Sequence, residues 1–191
     1  MNIKEKQKKF FKEAGDDLVY SNVMETPHLE KVILNVGVGK SSKDKKRMEL
    51  INDRLTKISG QKPAPRKAKK SIAAFKVREG EVVGYQVTLR GQRMFGFLDK
   101  FIDIALPRTK DFRGLPLSSI DEMGNCTIGI KEHTIFPETS DEELRNVFGF
   151  SITTVATSSD KKEAEAFFRF LGFPFKKKEE EKKKRKVRVK K

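Results

Sequence analysis

The sequence predicts an α+β fold, in which a single domain carries helices on one face of an antiparallel sheet and leaves the other face open. Several short stretches alternate apolar and polar residues, whereas parallel strands buried on both faces read as continuous apolar runs. Between them lie stretches whose apolar residues recur at helical spacing. At 191 residues the chain is long enough for one domain with a sizeable core, and short for two.

The alternating stretches predict four strands: "EKVILNVGVG" (30–39), "VVGYQVTLRG" (82–91), "CTIGIKE" (126–132) and "FSITTVAT" (150–157). A further strand is predicted near residues 61–66, where Pro63 and Pro65 have no amide hydrogen to donate and so must lie on an edge strand or at the start of the strand. The alternation predicts a core face and an outward face for each strand. The predicted outward residues are Asn35, Gly37, Gly39, Gly84, Gln86, Thr88, Arg90, Thr127, Gly129, Lys131, Ser151 and Thr153.

Helical spacing of apolar residues predicts helices over residues 3–18, 45–59 and 92–105, the last ended by Pro107. Gly60 follows the second helix at the position of a C-cap. Ser140 and Glu143 predict a short helix with a capping box, and a final helix follows Asp160 and ends at Gly172. The apolar residues at this spacing are Met48, Ile51, Leu55 and Ile58 in the second helix and Met94, Phe97, Leu98, Phe101 and Ile104 in the third. The first helix is mostly polar and offers Ile3, Phe10, Phe11 and Leu18 as anchors.

The charge balance predicts a polyanionic partner, either nucleic acid or an anionic membrane surface. Lys and Arg number 42 against 27 Asp and Glu, a formal net charge of +15. No apolar run approaches the roughly 20 residues that a membrane-spanning helix needs, and the N-terminus is too charged for a signal peptide. Cys126 is the single cysteine, so the chain forms no internal disulfide, which fits a reducing cytosol.

The spacing of titratable residues predicts no enzyme, no cofactor and no metal site. His28 and His133 are far apart, and the Cys126 thiol falls on a predicted core face. The neighbouring carboxylates at 79 and 81, and at 142 and 143, are not placed to face each other across a cleft. "NVGVGKSS" resembles a P-loop, but the motif needs glycine at position 34, which is Leu34 here. Because the rest of the motif is present, a phosphate-using enzyme that depends on Lys40 is kept as an alternative class of protein.

The last sixteen residues, 176–191, differ in composition from the rest. They contain eleven basic and three acidic residues and almost nothing apolar, so they predict a disordered basic tail after a domain at 1–175. The tail could keep the chain in solution, order on RNA, or bind acidic proteins or membranes as an adaptor. Its removal leaves +7 on the domain, so the basic signal does not depend on it.

The predicted outward face of the sheet is compatible with RNA. Its residues are small, polar or basic and none is aromatic, which suits contact with phosphates, 2′-hydroxyls and base edges. The missing aromatic residues argue against the stacking of splayed bases. Glycine inside a strand often marks a place where another backbone approaches closely. An ordinary solvated sheet face is the alternative.

A basic loop at "KAKKSIAAFKVREG" (67–80) surrounds the apolar patch Ile72-Ala73-Ala74-Phe75. Residues 61–78 hold seven basic residues and no acidic one. Two explanations stay open: the patch contacts a partner that the charges attract, or Ile72 and Phe75 anchor the loop on its own hairpin.

Several stretches together resemble one family, bacterial-type large-subunit ribosomal protein five. They are "VILNVGVG" (32–39), "ISGQKP" (58–63), the basic loop (67–80), "VTLRG" (87–91) and "RMFGFLD" (93–99). The similarity continues through "ALPRTKDFRGL" (105–115), "GNCTIGIKEHTIFPE" (124–138) and "LGFPF" (171–175). It covers residues 21–175 in order, and the series "TLRG", "DFRG", "GIKE", "IFPE" is highly specific. The chain departs from the family at Phe148, where the family usually carries arginine, and in the segment before Cys126.

The resemblance implies a structural, ribosome-bound, cytoplasmic protein with four groups of contacts. The open sheet face would bind 5S rRNA in the central protuberance, through Asn35, Gln61 and Thr88 as hydrogen-bonding residues and Arg90, Lys62 and Arg66 as basic contacts. The basic loop would reach P-site tRNA, through Lys67, Lys69, Lys70, Ser71, Ile72, Ala73, Ala74, Phe75, Lys76 and Arg78. An intersubunit bridge to small-subunit ribosomal protein thirteen would use Asp111, Phe112, Arg113 and Arg145. Further contacts would join 23S-type rRNA and neighbouring large-subunit proteins.

Overall fold

The structure is a computed structural model and describes residues 2–13, 20–39, 44–140, 146–158 and 160–176. Its sheet has five strands: β1 (Leu29–Gly37), β2 (Ala64–Lys67), β3 (Val82–Leu89), β4 (Cys126–Ile130) and β5 (Phe150–Ala156). Their order across the sheet is β2-β3-β1-β5-β4, and every pairing is antiparallel. The predicted α+β class with an antiparallel sheet is confirmed. The strand that contains Pro65 lies at an edge, as expected.

Four α-helices accompany the sheet in the described part of the chain: α1 (Ile3–Glu13), α2 (Lys45–Ser59), α3 (Gly91–Lys100) and α4 (Lys161–Leu171). Gly60 and Gly172 end α2 and α4 in the left-handed conformation, with φ of +67° and +102°. Glycine adopts this conformation without the steric cost that other residues meet there, so both predicted C-caps are confirmed. The predicted capping-box helix after Ser140 lies largely outside the described residues, as does Leu18.

The core lies between the helices and the face of the sheet that the alternation predicts. Val32, Leu34 and Val36 of β1 are at most 1 % exposed, and they pack with Val87 and Leu89 of β3. The helices contribute large side chains of which several are fully buried. Burial of one such side chain stabilises the folded state by about 1.5–3 kcal/mol, so the sheet is held firmly on this side. The residues that the helices and the segments next to them add are Phe10, Ile51, Leu55, Ile58, Met94, Leu98, Phe101, Phe167 and Phe168.

The prediction that Ile104 belongs to the apolar stripe is wrong, since its side chain is 42 % exposed. After Lys100 the chain continues as a π-helical turn over Phe101–Ala105, with the Leu106 amide donating to the Phe101 carbonyl. This wider turn rotates the following residues relative to α-helical spacing. Ile102 and Ala105 therefore face the core in place of Ile104.

Cys126 is buried at the start of β4, and burial, with the charge of Asp121 as a second cause, raises the pKa of its thiol to about 12. We expect iodoacetamide at pH 8 to leave Cys126 unlabelled in the native protein and to label it in denaturant, because the thiolate is the reactive form. The raised pKa means that the thiol's stabilising contribution is complete below about pH 8.5 and declines as the pH rises toward 12. Rapid native labelling, measured by intact mass, would contradict this placement.

Candidate nucleic-acid interface

Strand pairing builds a row of small polar residues across the outward face of the sheet. Asn35 of β1 pairs with Gln86 of β3 on one side and with Ser151 of β5 on the other. Ser151 pairs in turn with Gly129 of β4, and its hydroxyl donates to the Asn35 carbonyl at 3.4 Å. Four strands therefore place amide, hydroxyl and backbone groups side by side. We call the outward face of the sheet the open face. It consists of this row and of a second row that contains Thr88, Ile33, Thr153 and Thr127.

A second row runs parallel to the first through Thr88, Ile33, Thr153 and Thr127. The hydroxyl oxygens of Thr127 and Thr153 are 3.1 Å apart and share a hydrogen bond. Ile33 is the one apolar member and is half-buried. No aromatic ring belongs to either row. Hydroxyls and amides that both donate and accept hydrogen bonds suit the 2′-hydroxyls and base edges of RNA.

Glycines of the open face leave space above the sheet. A Cβ atom built on Gly37 or on Gly129 would meet no atom within 4 Å. Neither residue has a positive φ, so the fold itself does not require glycine at these positions. Gly84 is different, because a Cβ there would lie 2.7 Å from the Val36 carbonyl oxygen. Gly37 and Gly129 therefore leave the backbone open to close approach by a partner.

The β2–β3 side of the open face carries most of its positive charge. The Arg66 Nε donates to Oε1 of Gln86 at 2.5 Å, which lays the guanidinium beside the Asn35 row. The Gln61 Nε2 donates weakly to the Thr88 carbonyl at 3.5 Å, and Lys62 next to it is exposed. The structure thus brings Asn35, Gln61, Thr88, Lys62 and Arg66 together at one region of the sheet.

Arg90 follows the last residue of β3 and lies beside an acidic residue, Glu30. Its Nη1 is 3.3 Å from Oε1 of Glu30, and the Lys31 Nζ is 3.2 Å from the same oxygen. The hydrogen bond and charge of Lys31, followed by those of Arg90, lower the pKa of the Glu30 carboxyl. Exposed ion pairs of this kind contribute little to stability, so the Arg90 guanidinium can exchange Glu30 for a phosphate.

The basic loop forms a small closed hairpin beyond β2 and β3. Ile72 and Val77 make an antiparallel bridge, and Ala73–Phe75 form one 3₁₀ turn between them. The Ser71 hydroxyl accepts from the Glu79 amide at 2.9 Å, which braces the base of the hairpin. All of the predicted tRNA-contacting residues are exposed at the surface. They are Lys67, Lys69, Lys70, Ser71, Ile72, Ala73, Ala74, Phe75, Lys76 and Arg78.

The apolar tip does not reach the core, because Ile72 is 47 % and Phe75 is 74 % exposed. This favours the first explanation of the patch, contact with a partner, over anchoring on its own hairpin. We expect Phe75→Ser to change the free energy of unfolding by less than about 0.5 kcal/mol. The matched change Phe101→Ala, at a fully buried ring, is expected to cost about 3–5 kcal/mol. Urea unfolding measures both, and a large loss for Phe75→Ser would restore the anchoring explanation.

The predicted bridge residues 111–113 lie in the segment that follows the π-helical turn. Asp111 is exposed with φ of +56°, and Arg113 is exposed two residues later. The ring of Phe112 is half-buried against the core. Thr109, Lys110 and Asp111 line a cavity of about 160 Å³ together with the end of β4 and the segment after it. Arg145 lies outside the described residues, so its position relative to this surface is not part of the structure.

Phe148, where the resemblance implies an arginine in most of the family, is buried. Its ring stacks on the buried imidazole of His133 at 4.2 Å, and its amide donates to His133 Nδ1 at 3.3 Å. An arginine at this position would have to place its charge among apolar residues or leave the pocket. Phe148 is therefore part of the packing of this chain.

Gln86 is a residue of the open face that the predicted set of RNA contacts omits. The alternation of β3 places it on the outward face, but alternation along one strand does not say which outward residues of different strands are neighbours. The pairing register puts Gln86 directly beside Asn35 and in contact with Arg66. Over the described ranges no helix is long and apolar enough to cross a membrane, and no group of three metal-ligating side chains occurs.

The fold and its surface together define a class of protein. It is a basic α+β protein with one polar sheet face that no helix covers in the described part of the chain and a charged hairpin beside that face. Two family models match in succession, one described as ribosomal protein L5 over residues 22–78 and one for the C-terminus of the same ribosomal protein family over residues 82–175. The chain belongs to the uL5 family of large-subunit ribosomal proteins.

Similar proteins from several bacteria bear the name large ribosomal subunit protein uL5. The protein of Ureaplasma urealyticum is 46 % identical over 169 residues, covering 88 % of this chain and 92 % of its own. That of Mycoplasma pneumoniae is 46 % identical over 90 % of this chain and 95 % of its own. That of Nitratidesulfovibrio vulgaris is 50 % identical over 83 % and 88 %.

Family membership confirms the predicted role as a structural, non-enzymatic component of the large ribosomal subunit. It is also consistent with the predicted ribosome-bound location in the cytoplasm. The alternative of a phosphate-using enzyme is thereby set aside, and Lys40, on which it depended, lies outside the described residues.

Proposed function

We propose that this protein binds 5S rRNA through the open face, contacts P-site tRNA through the basic loop, and joins an intersubunit bridge through residues 111–113. In this proposal 23S-type rRNA and neighbouring large-subunit proteins hold its remaining surface, and small-subunit ribosomal protein thirteen is the partner across the bridge. The observation that carries the proposal is the open face itself. Hydroxyl and amide groups of four strands lie in register there, beside glycines above which nothing is packed.

The mechanism is shape and charge complementarity without chemistry. Basic residues at the β2–β3 side attract phosphates and set the register of the RNA, and they carry no sequence information by themselves. The Asn35 row supplies hydrogen bonds at fixed spacing, because it is part of a sheet whose other face is locked into the core. A rigid row of this kind favours an RNA surface of one shape over a generic polyanion.

The test is a salt titration of the full chain on 5S rRNA and on an unrelated RNA of equal length. We expect a preference for 5S rRNA that persists at physiological salt, since hydrogen-bonded recognition does not release counterions. A chain ending at residue 175 is compared in parallel to isolate the basic tail. Equal binding to both RNAs, fading steeply with salt, would show that charge alone explains the affinity.

Asn35→Ala and Thr88→Ala are expected to cost roughly 1 kcal/mol or more of binding to 5S rRNA each, as lost hydrogen bonds. The salt slope should stay unchanged, because neither substitution removes a charge. Asn52→Ala, a half-buried polar position on α2 away from the open face, is the matched control. An equal loss of affinity for the unrelated RNA would remove Asn35 and Thr88 from the recognition set.

A further inference from the structure

A basic cleft of about 270 Å³ separates the C-terminal end of α2 from α3, outside the open face and the basic loop. We call it the α2–α3 cleft. Its lining includes two residues whose Cβ positions are empty, Gly60 and Gly96, since nothing lies within 4 Å of either. The backbone on both walls is therefore open to close approach. The charged and polar lining residues are Lys57, Ser59, Arg93 and Lys100.

The charges of the cleft are not equally available. Lys100 holds the two walls together, because its Nζ donates to the Ile58 carbonyl at 2.9 Å and pairs with Glu138 at 2.6 Å. Lys57 forms an exposed pair with Asp53 at 3.1 Å, which competes weakly with another anion. Arg93 is exposed, and within the described ranges its guanidinium makes no hydrogen bond or ion pair. Of the cations that line the cleft in the described part of the chain, Arg93 is the most available to an anion.

The cleft lies near the end of β3 that carries Thr88. Its first wall ends at Gly60, next to Gln61, whose side chain reaches the Thr88 carbonyl at the border of the second row. Its second wall begins just after Arg90, which follows the last residue of β3. Both walls of the α2–α3 cleft therefore lie close to the Thr88 end of β3, so an RNA bound there has phosphates within reach of the cleft.

We propose that the α2–α3 cleft holds a phosphate group of the bound RNA strand, with Arg93 as its principal ligand and Lys57 as a secondary one. The planar guanidinium donates two parallel hydrogen bonds to a phosphate, which an ammonium group does not match. Lys100 occupies the Ile58 carbonyl and so removes an acceptor that would repel the phosphate from the end of α2. The identity of the RNA as 5S rRNA rests on the proposed function, whereas the phosphate site does not.

The test compares Arg93→Ala and Arg93→Lys with Arg108→Ala in salt titrations of the full chain on 5S rRNA and on the unrelated RNA. Arg108 is also exposed and lies beyond the π turn that follows α3. Its replacement by alanine removes the same charge as Arg93→Ala. We expect Arg93→Ala to lower the salt slope by about one and to weaken binding about fivefold, while Arg108→Ala keeps the slope and loses only the smaller contribution of long-range attraction. Arg93→Lys should keep the slope and lose part of the affinity.

The outcomes separate the two proposals. If Arg93→Ala behaves like Arg108→Ala on both RNAs, the phosphate site is overturned, even where the wild-type chain prefers 5S rRNA. If Arg93→Ala lowers the slope on both RNAs while the wild type shows no preference, the site stands and the 5S rRNA assignment fails. Thermal unfolding of each variant checks that the loss is one of binding, since an exposed side chain contributes little to folding.

Discussion

Replacing Gly37 with valine is expected to weaken binding to 5S rRNA by about thirtyfold and leave the protein at least as stable. The isopropyl group would stand on the open face, where a Cβ meets no protein atom within 4 Å, so the fold has room for it. An RNA backbone that approaches Gly37 would have to move away and lose at least two hydrogen bonds, each worth about 1 kcal/mol. A β-branched residue in a strand is preferred over glycine, so the melting temperature should stay or rise.

The measurement is a pair of titrations, 5S rRNA affinity and thermal unfolding, on Gly37→Ala and Gly37→Val. A graded loss of affinity, small for the methyl group and large for the isopropyl group, identifies a steric cause. Gly129→Val makes the same change on β4 and reports how far the RNA extends across the sheet. Unchanged affinity in both valine variants, with the fold intact, would place the RNA on another surface.

Replacing Lys69 and Lys70 together with alanine is expected to lower the salt slope of P-site tRNA binding to ribosomes carrying the variant by about two. Both side chains are exposed on the basic loop, and each is expected to neutralise one phosphate. Binding of the free protein to 5S rRNA should keep its slope, because the open face is a separate surface. The physical reason is counterion release, which depends on the number of phosphates contacted.

The matched control is the Lys161→Ala, Lys162→Ala pair on the first turn of α4, where both lysines are exposed as well. Both double variants lose two positive charges, so the long-range attraction of RNA falls equally in the two. A lower slope confined to the loop variant would identify direct phosphate contacts. Equal behaviour of the two variants would mean that the loop acts through net charge alone.

Much of the fold could be predicted because its determinants are local. The alternation of Val32, Leu34 and Val36 with Ile33 and Asn35 reflects the period of two along any strand. The face of β1 that is buried could therefore be predicted without knowing which strands pair with it. Prolines that donate no hydrogen bond predicted the edge strand, and glycines predicted the helix ends. The one error in the apolar stripe, at Ile104, arose because a single π turn interrupts a spacing that assumes an α-helix throughout.

Local patterns in the chain were enough to predict which residues face outward, where the charge is concentrated and which family the chain resembles. The tertiary structure decided which outward residues are neighbours: Gln86 beside Asn35, Arg66 over Gln86, Arg90 against Glu30. It also decided that Phe75 is exposed and that Arg93 lines a cleft between two helices. These relations join segments far apart in the chain, and they depend on strand register and helix packing, which no local pattern encodes.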